Sequence, residues 1–324
     1  MRASFAVGID VGGTRIAAGL VERKGRMVKE ERCLTPKEGP FSVIDAIIDL
    51  VSAVVTGPHA SEIAGIGIGL PAQVDFLRQS VEFCTNLPLT GVDVRGLVMS
   101  RVKHDVTIDN DGHCAAIGES RYGAAKKARD FLMITLGTGV GGCLFFDGEP
   151  YRGHRGLGGE IGHTIVQTDG PPCPCGANGH LESFLGRPAL ARAGRAAAER
   201  FAGAGILREA QDDPDAITAE MVIRAAVAGD EAAREIMTQA ADVLGEALVG
   251  MVNLLNPQLV VVGGGVGEAA PFLITRAAEI VADKALAGRR DVQLVPAELG
   301  NDAGVLGAAA LGFDEHDSRE GLRR

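Results

Sequence analysis

What most constrains this chain is a unit it uses twice: an apolar run, a tight glycine turn, and a second apolar run. Ser4-Phe-Ala-Val-Gly-Ile-Asp10 and residues 16–21 flank Gly12-Gly13, while residues 131–135 and 141–146 flank Leu136-Gly-Thr-Gly-Val-Gly-Gly142. Runs this short, bounded by glycine, predict strands. A third strand over residues 27–33, after a turn at Lys24-Gly25-Arg26, makes the first unit a meander. The first glycines therefore join strand to strand, not strand to helix. No G-x-G-x-x-G opens a helix after the first strand and no G-x-x-x-x-G-K-[ST] occurs anywhere, which excludes a dinucleotide fingerprint and a P-loop. Recurrence of the unit, once per half, predicts two related α/β halves with a cleft between them.

Between the units, Phe41, Ile44, Ile47, Ile48, Val51 and Val55 have helical spacing, residues 63–70 and 105–109 read as strands, and residues 112–122 as helix. Residues 153–179 are loop-rich. Helices are predicted over 188–201, 217–228 and 230–255, the last with Asp230 as N-cap, then a buried strand at 259–263 and a helix at 271–286. A strand at 292–295, a helix at 303–311 and a frayed charged tail at 314–324 complete the expectation.

Charge narrows the partners. With 32 Lys and Arg against 42 Asp and Glu, the formal net charge is −10, so the chain gains nothing from counterion release on nucleic acid. The most apolar stretch, residues 247–262, is broken by Gly250, Asn253, Asn256 and Pro257, which excludes a membrane span. No secretory signal is legible in the first ten residues. Cys33, Cys84, Cys114 and Cys143 stand alone among small or apolar neighbours and read as core or near-core thiols. Cys173 and Cys175 sit one residue apart in a Gly/Pro loop and suggest metal, in a reducing, cytoplasmic compartment.

Three constellations bear chemistry. Asp10-Val-Gly-Gly-Thr14 places a carboxylate, bare backbone N–H groups and a hydroxyl together, a set that cradles phosphate oxygens and holds Mg²⁺ through water; a plain hairpin turn is the alternative. Gly137-Thr138-Gly139 repeats it, and Gly263-Gly264-Gly265 lets backbone approach a flat ring or a phosphate. In Asp109-Asn110-Asp111-Gly112-His113, a carboxylate at a strand end could take the proton of an attacking hydroxyl, as phosphoryl transfer requires. The alternative is a helix N-cap, which Asp109, Asn110 or Asp111 would each serve. Finally, His163, Cys173, Cys175 and His180 offer two imidazoles and two thiols, a set suited to tetrahedral Zn²⁺; for His180 the alternative is a solvent-facing loop residue.

Asp10-Val-Gly-Gly-Thr14, Asn110-Asp111, Leu136-Gly-Thr-Gly-Val-Gly-Gly142, Gly159-Glu-Ile-Gly-His163 and Cys173-x-Cys175-Gly-x-x-Gly179-x-x-Glu182 occur in that order. Together they resemble the ROK family of bacterial sugar kinases and transcriptional repressors, over about residues 6–312. The resemblance implies an actin-like ATPase fold of two α/β domains: residues 1–118 with about 303–324, and a larger one over 119–302 bearing the sugar- and zinc-binding loop. It implies Asp111 as catalytic base, with Asn86, Asn110, Glu160, His163 and Glu182 on the sugar. Asp10, Gly12, Gly13, Thr14, Gly137, Thr138 and Gly139 fall at the phosphates, and Gly264 and Gly265 at the adenosine. His163 would bind zinc through one ring nitrogen and face the sugar with the other. Where the family has a third cysteine, this chain has His180.

Family repressors carry a DNA-binding extension ahead of the first glycine turn, whereas Asp10 arrives here almost at once. The resemblance thus implies an ATP- and Mg²⁺-dependent hexose kinase, glucose leading, with polyphosphate as the alternative donor. Fructokinase and N-acetylmannosamine or N-acetylglucosamine kinase share the motifs, and a sugar-sensing regulator without catalysis is a further alternative. An ATPase used as a conformational switch has no need of the Glu160, His163 and Glu182 set. A homodimer or homotetramer is implied by the resemblance alone.

Overall fold

A computed structural model describes residues 3–200, 205–286 and 291–321. It divides into two compact units, Met1–Ala128 with Cys143–Gly159 and Asn301–Arg324, and Arg129–Gly142 with Glu160–Gly300.

The first unit is built on β1 (Phe5–Val11), β2 (Arg15–Glu22), β3 (Met27–Leu34), β4 (Ile63–Leu70) and β7 (Val106–Asn110), in the order β3-β2-β1-β4-β7. The predicted meander holds: β1, β2 and β3 pair antiparallel, while β1, β4 and β7 run parallel. Because helices cover it, β4 is an almost continuous buried run, whereas edge strand β3 has only half-buried and exposed positions, four of them charged. Helix α1 (Pro40–Val54) starts with proline and buries Val43, Ile44, Ile47, Leu50, Val51 and Val54 against the sheet. A short hairpin, β5 (Gln73–Asp75) and β6 (Ser80–Phe83), and helix α2 (Val94–Met99) precede β7; neither was legible in the sequence. Helix α3 (Asp111–Tyr122) follows β7 directly.

In the second unit lie β8 (Phe131–Leu136), β11 (Leu259–Gly263) and β12 (Gln293–Pro296), all parallel. With β9 (Val140–Phe146) and β10 (Glu149–Tyr151) the sheet order is β10-β9-β8-β11-β12. Numbered along the chain within each sheet, both sheets read third, second, first, fourth, fifth, which is the duplication that the repeated glycine turn foretold. Helices α4 (Glu182–Leu185), α5 (Arg187–Arg200), α6 (Gly205–Glu209), α7 (Ala219–Ala228) and α8 (Glu231–Leu255) form the helical part. Asp230 caps α8 as expected, accepting the Ala233 N–H at 2.8 Å. Helix α9 (Gly264–Ala269) starts immediately after β11 and α10 (Phe272–Lys284) packs on α8. The last residue of the helix expected over 188–201 lies outside the described residues.

One expectation is corrected. Helix α11 (Ala303–Arg319) does not stop at residue 311 but runs eight residues further through the supposed tail. Phe313 is buried, Asp317 accepts two hydrogen bonds from Arg23 at 2.8 and 2.9 Å, and Asp314 pairs with Arg121. The charges read as a solvated tail are partners for arginines elsewhere in the first unit. Residues 322–324 of that tail lie outside the described residues. Helix α11 lies on β1 and β4 at glycines: a methyl on Gly8 would fall on the Val305 carbonyl oxygen, and one on Gly67 on that of Ala308.

Candidate active site

Parallel strands β1, β4 and β7 end level with one another. Asp10 pairs in register with Gly69, and Gly69 with Asp109. In open α/β sheets that carboxyl edge is where ligands bind. Asp10 is half-buried; burial pushes its carboxyl up to about 6, against the pull of Arg32. The turn beyond it is braced by its carbonyls: Thr35 Oγ1 donates to Gly12 O at 2.7 Å and Lys37 Nζ to Gly13 O at 2.6 Å. Asn86 comes beside this turn, its Cβ 4.0 Å from where a side chain on Gly13 would begin.

At the end of β7 the N-cap is Asn110. Its Oδ1 accepts the His113 N–H at 3.1 Å and its Nδ2 donates to Ala72 O at 3.1 Å. Asp111 is therefore relieved of capping and stands as the first helical residue, with Oδ1 accepting the Gly112 N–H at 2.8 Å. Its Cα is 3.5 Å from the point where a Gly69 side chain would begin.

Beneath it is a cluster that sequence reading missed. Asp109 is fully buried; one carboxylate oxygen meets His113 Nδ1 at 3.0 Å and the Asn110 N–H at 2.9 Å. The other accepts Arg152 Nε at 3.1 Å and Nη2 at 2.7 Å. Burial alone would raise this carboxyl, but His113 and Arg152 hold it below the usual carboxylate range. Arg152 also stacks on the Phe76 ring at 3.8 Å. The Asp109/His113 spacing of four, across the strand end and the helix start, was the one available signal; nothing local marked Arg152.

In the second unit, the turn Gly137-Thr138-Gly139 closes with Gly137 N–H donating to Gly139 O at 2.9 Å, and Arg187 N–H donating to Gly137 O at 3.0 Å. Glu182 reaches the same turn, Oε2 accepting the Val140 N–H at 2.9 Å. Gly264 adopts φ 83° between β11 and α9, a left-handed conformation that costs only glycine nothing, and a methyl there would collide with Leu136 O. Gly265 lies beside the Arg187 guanidinium.

His163, Cys173, Cys175 and His180 present ligand atoms all within 4.8 Å of one another. His180 is buried, not a solvent-facing loop residue. Four ligands on a tetrahedral Zn²⁺, with bonds of about 2.0–2.3 Å, stand about 3.3–3.8 Å apart. His163 Nδ1 is 3.3 Å from His180 Nδ1 and 3.8 Å from Cys173 Sγ, and Cys175 Sγ is 3.3 Å from His180 Nδ1. The donor set fits the ion. In its absence burial, with the neighbouring Cys175 thiol and the Glu182 carboxylate, pushes the Cys173 thiol up to about 11, a proton that a metal would displace. The other ring nitrogen of His163, Nε2, faces away from the cluster, 4.0 Å from Glu160 Oε2.

Each unit thus gathers its own share of the expected residues. Asp10, Gly12, Gly13, Thr14, Asn86, Asn110 and Asp111 belong to the first; the second glycine turn, Glu160, His163, Glu182, the thiols, His180, Gly264 and Gly265 belong to the second. Duplicated sheets, each with a glycine turn after its first strand, define the actin-like ATPase fold of two α/β domains. The family model described as ROK family matches residues 6–315, and the chain belongs to that family, as one of its sugar kinases. It is 33% identical over 319 residues to a glucokinase of Halalkalibacterium halodurans, covering 97% of this chain and 96% of that one. A glucokinase of Streptomyces coelicolor is 32% identical over 312 residues, 95% of this chain and 97% of its own. Among solved structures, a ROK family glucokinase from Streptomyces griseus in complex with glucose and AMPPNP superposes with a TM-score of 0.85 at 32% identity, covering 95% and 98% of the two chains.

Proposed function

We propose that the chain transfers the γ-phosphoryl group of ATP to a hexose, with glucose as substrate and glucose 6-phosphate as product. The observation that carries the mechanism is the level edge of β1, β4 and β7, where Asp10 and the Asp109–Asp111 segment end side by side with only a glycine between them. Asp111 accepts the proton of the attacking sugar hydroxyl. The hydroxyl oxygen bonds to the γ-phosphorus as the bond to the bridging oxygen breaks, and ADP leaves. Asn86, Asn110, Glu160, His163 and Glu182 hold the sugar hydroxyls. Asp10, Gly12, Gly13, Thr14, Gly137, Thr138 and Gly139 hold the phosphates, and Gly264 and Gly265 the adenosine. Asp10 would hold Mg²⁺, which would supply charge neutralisation at the phosphates.

Zn²⁺ would be held by His163, Cys173, Cys175 and His180, and would supply a fixed tautomer for His163, whose Nε2 is left to meet the sugar. Glucose is favoured because glucokinases stand at 31–33% identity over almost their full length, against 30% for an N-acetyl-D-glucosamine kinase. The test is ATP-dependent phosphorylation of glucose, mannose, fructose, allose, N-acetylglucosamine and N-acetylmannosamine, with Asp111→Asn as the blank. Glucose standing above the rest, and silent in the variant, supports the reading; another sugar in first place replaces the substrate, and turnover by the variant rejects the base.

A further inference from the structure

We propose that His113 is held as an imidazolium and is a positioning residue. It would fasten the loop that leads to Glu160 to the strand end that carries Asn110 and Asp111. Its side chain is 3% exposed, and each ring nitrogen has a partner at 3.0 Å: Nδ1 meets Asp109 Oδ1 and Nε2 meets Gly158 O. Both partners only accept. A carbonyl oxygen has no proton to give, and Asp109, clasped on its second oxygen by Arg152, is an anion. A neutral imidazole has one N–H, so in either tautomer one of the two contacts would set lone pair against lone pair. Only the doubly protonated ring satisfies both, and it does so with no other group moving.

Asp109 takes both cationic groups: one oxygen faces His113 Nδ1 at 3.0 Å and the other the Arg152 guanidinium at 2.7 Å. The clasp also closes on itself. Arg152 binds Asp109 through its side chain, its own carbonyl accepts the Gly158 N–H at 2.8 Å, and the Gly158 carbonyl accepts from His113. Residues 152–158 are thus a loop tied at one end to the end of β7 and at the other to the start of α3, and Glu160 follows two residues later.

This role rests on the reading of Asp111 as base and Glu160 as a sugar ligand, but its first test does not. In the intact protein labelled with ¹⁵N-histidine, both His113 nitrogens are expected to show imidazolium shifts at pH 7. A neutral tautomer there overturns the proposal. The resonance is assigned by its disappearance in His113→Asn or, if that variant does not fold, by elimination through single replacement of the other six histidines. The second test is kinetic. His113→Asn, able to reach one acceptor and not both, is expected to raise the KM for sugar roughly 10- to 100-fold through misplacement of the loop, with the KM for ATP within about twofold. A sugar KM that does not move, or one that moves in step with that for ATP, assigns His113 to stability alone. Asp111→Asn run in parallel separates the two ideas: retained turnover there rejects the base while leaving the imidazolium result standing.

Discussion

Glu182 joins two chemistries: its Oε2 accepts the Val140 N–H at 2.9 Å, and its Oε1 lies 3.8 Å from Cys173 Sγ. One carboxylate thus stands between the second glycine turn and the thiol cluster. Glu182→Gln keeps an oxygen for Val140 but loses the charge. We expect the KM for sugar to rise by about tenfold or more, as for the loss of a charged hydrogen bond. An unchanged sugar KM would remove Glu182 from the sugar site.

Asp111→Asn is close in size and keeps an acceptor for the Gly112 N–H. It should leave sugar affinity within a few-fold while kcat falls by about two to four orders of magnitude, the range of general-base catalysis. Isothermal titration of the sugar beside steady-state turnover gives both quantities. Near-normal turnover is the outcome that rejects the assignment.

For the His163, Cys173, Cys175 and His180 set, the expectation is one zinc per purified chain by atomic emission, released by a strong chelator with a fall in Tm. His180→Cys should retain the metal and His180→Ala should lose much of it, because thiolate and imidazole are both competent ligands and a methyl is neither. Zinc well below one per chain, with activity intact, sinks the site.

Asp10 gives a pH prediction. Its folded value of about 6 lies above the ordinary 3.8, so the fold favours the protonated form. That contribution is complete below about pH 4 and is lost as pH rises through about 6. At pH 8 the ligand-free protein carries a partly buried anion that costs at most about 3 kcal/mol, less where water reaches it. Asp10→Asn should therefore raise the Tm of the ligand-free chain at pH 8 more than at pH 5, while abolishing turnover. A Tm difference that does not vary with pH contradicts this origin.

A methyl added at Gly67 has nowhere to go, since it meets the Ala308 backbone rather than a mobile side chain. Gly67→Ala should destabilise the protein by roughly 1–3 kcal/mol or more, the scale of overpacking, measurable by urea unfolding. A stability within error of the parent would mean that α11 is free to shift.

Much of this was legible because it is local. Strands 63–70 and 259–263 emerged at the positions read from their apolar runs, and both glycine turns joined strands as their flanks required. The Asp109–Asp111 segment left the cap open among three residues; only the Ala72 carbonyl and the His113 N–H single out Asn110. What stayed hidden depends on distant partners. Arg152 and Asp109 are 43 positions apart and no periodicity connects them. The hairpin of β5 and β6 is too short and polar to announce itself, and Gln79 pins it to β7 by accepting the Ile108 N–H at 2.7 Å. Residues 314–319 look like a soluble tail until Arg23 and Arg121 are placed beside them.

That late helix has a bearing on how the protein is made. Strands β1 and β4 leave the ribosome well before residues 303–319, whose backbone surface fits their glycines. Domains ordinarily fold as units in order of synthesis, but here the first unit must wait with one face of its sheet uncovered until translation has passed Ala303. A fragment that ends upstream of Ala303 would therefore present the buried face of β1 and β4 without the helix that covers it.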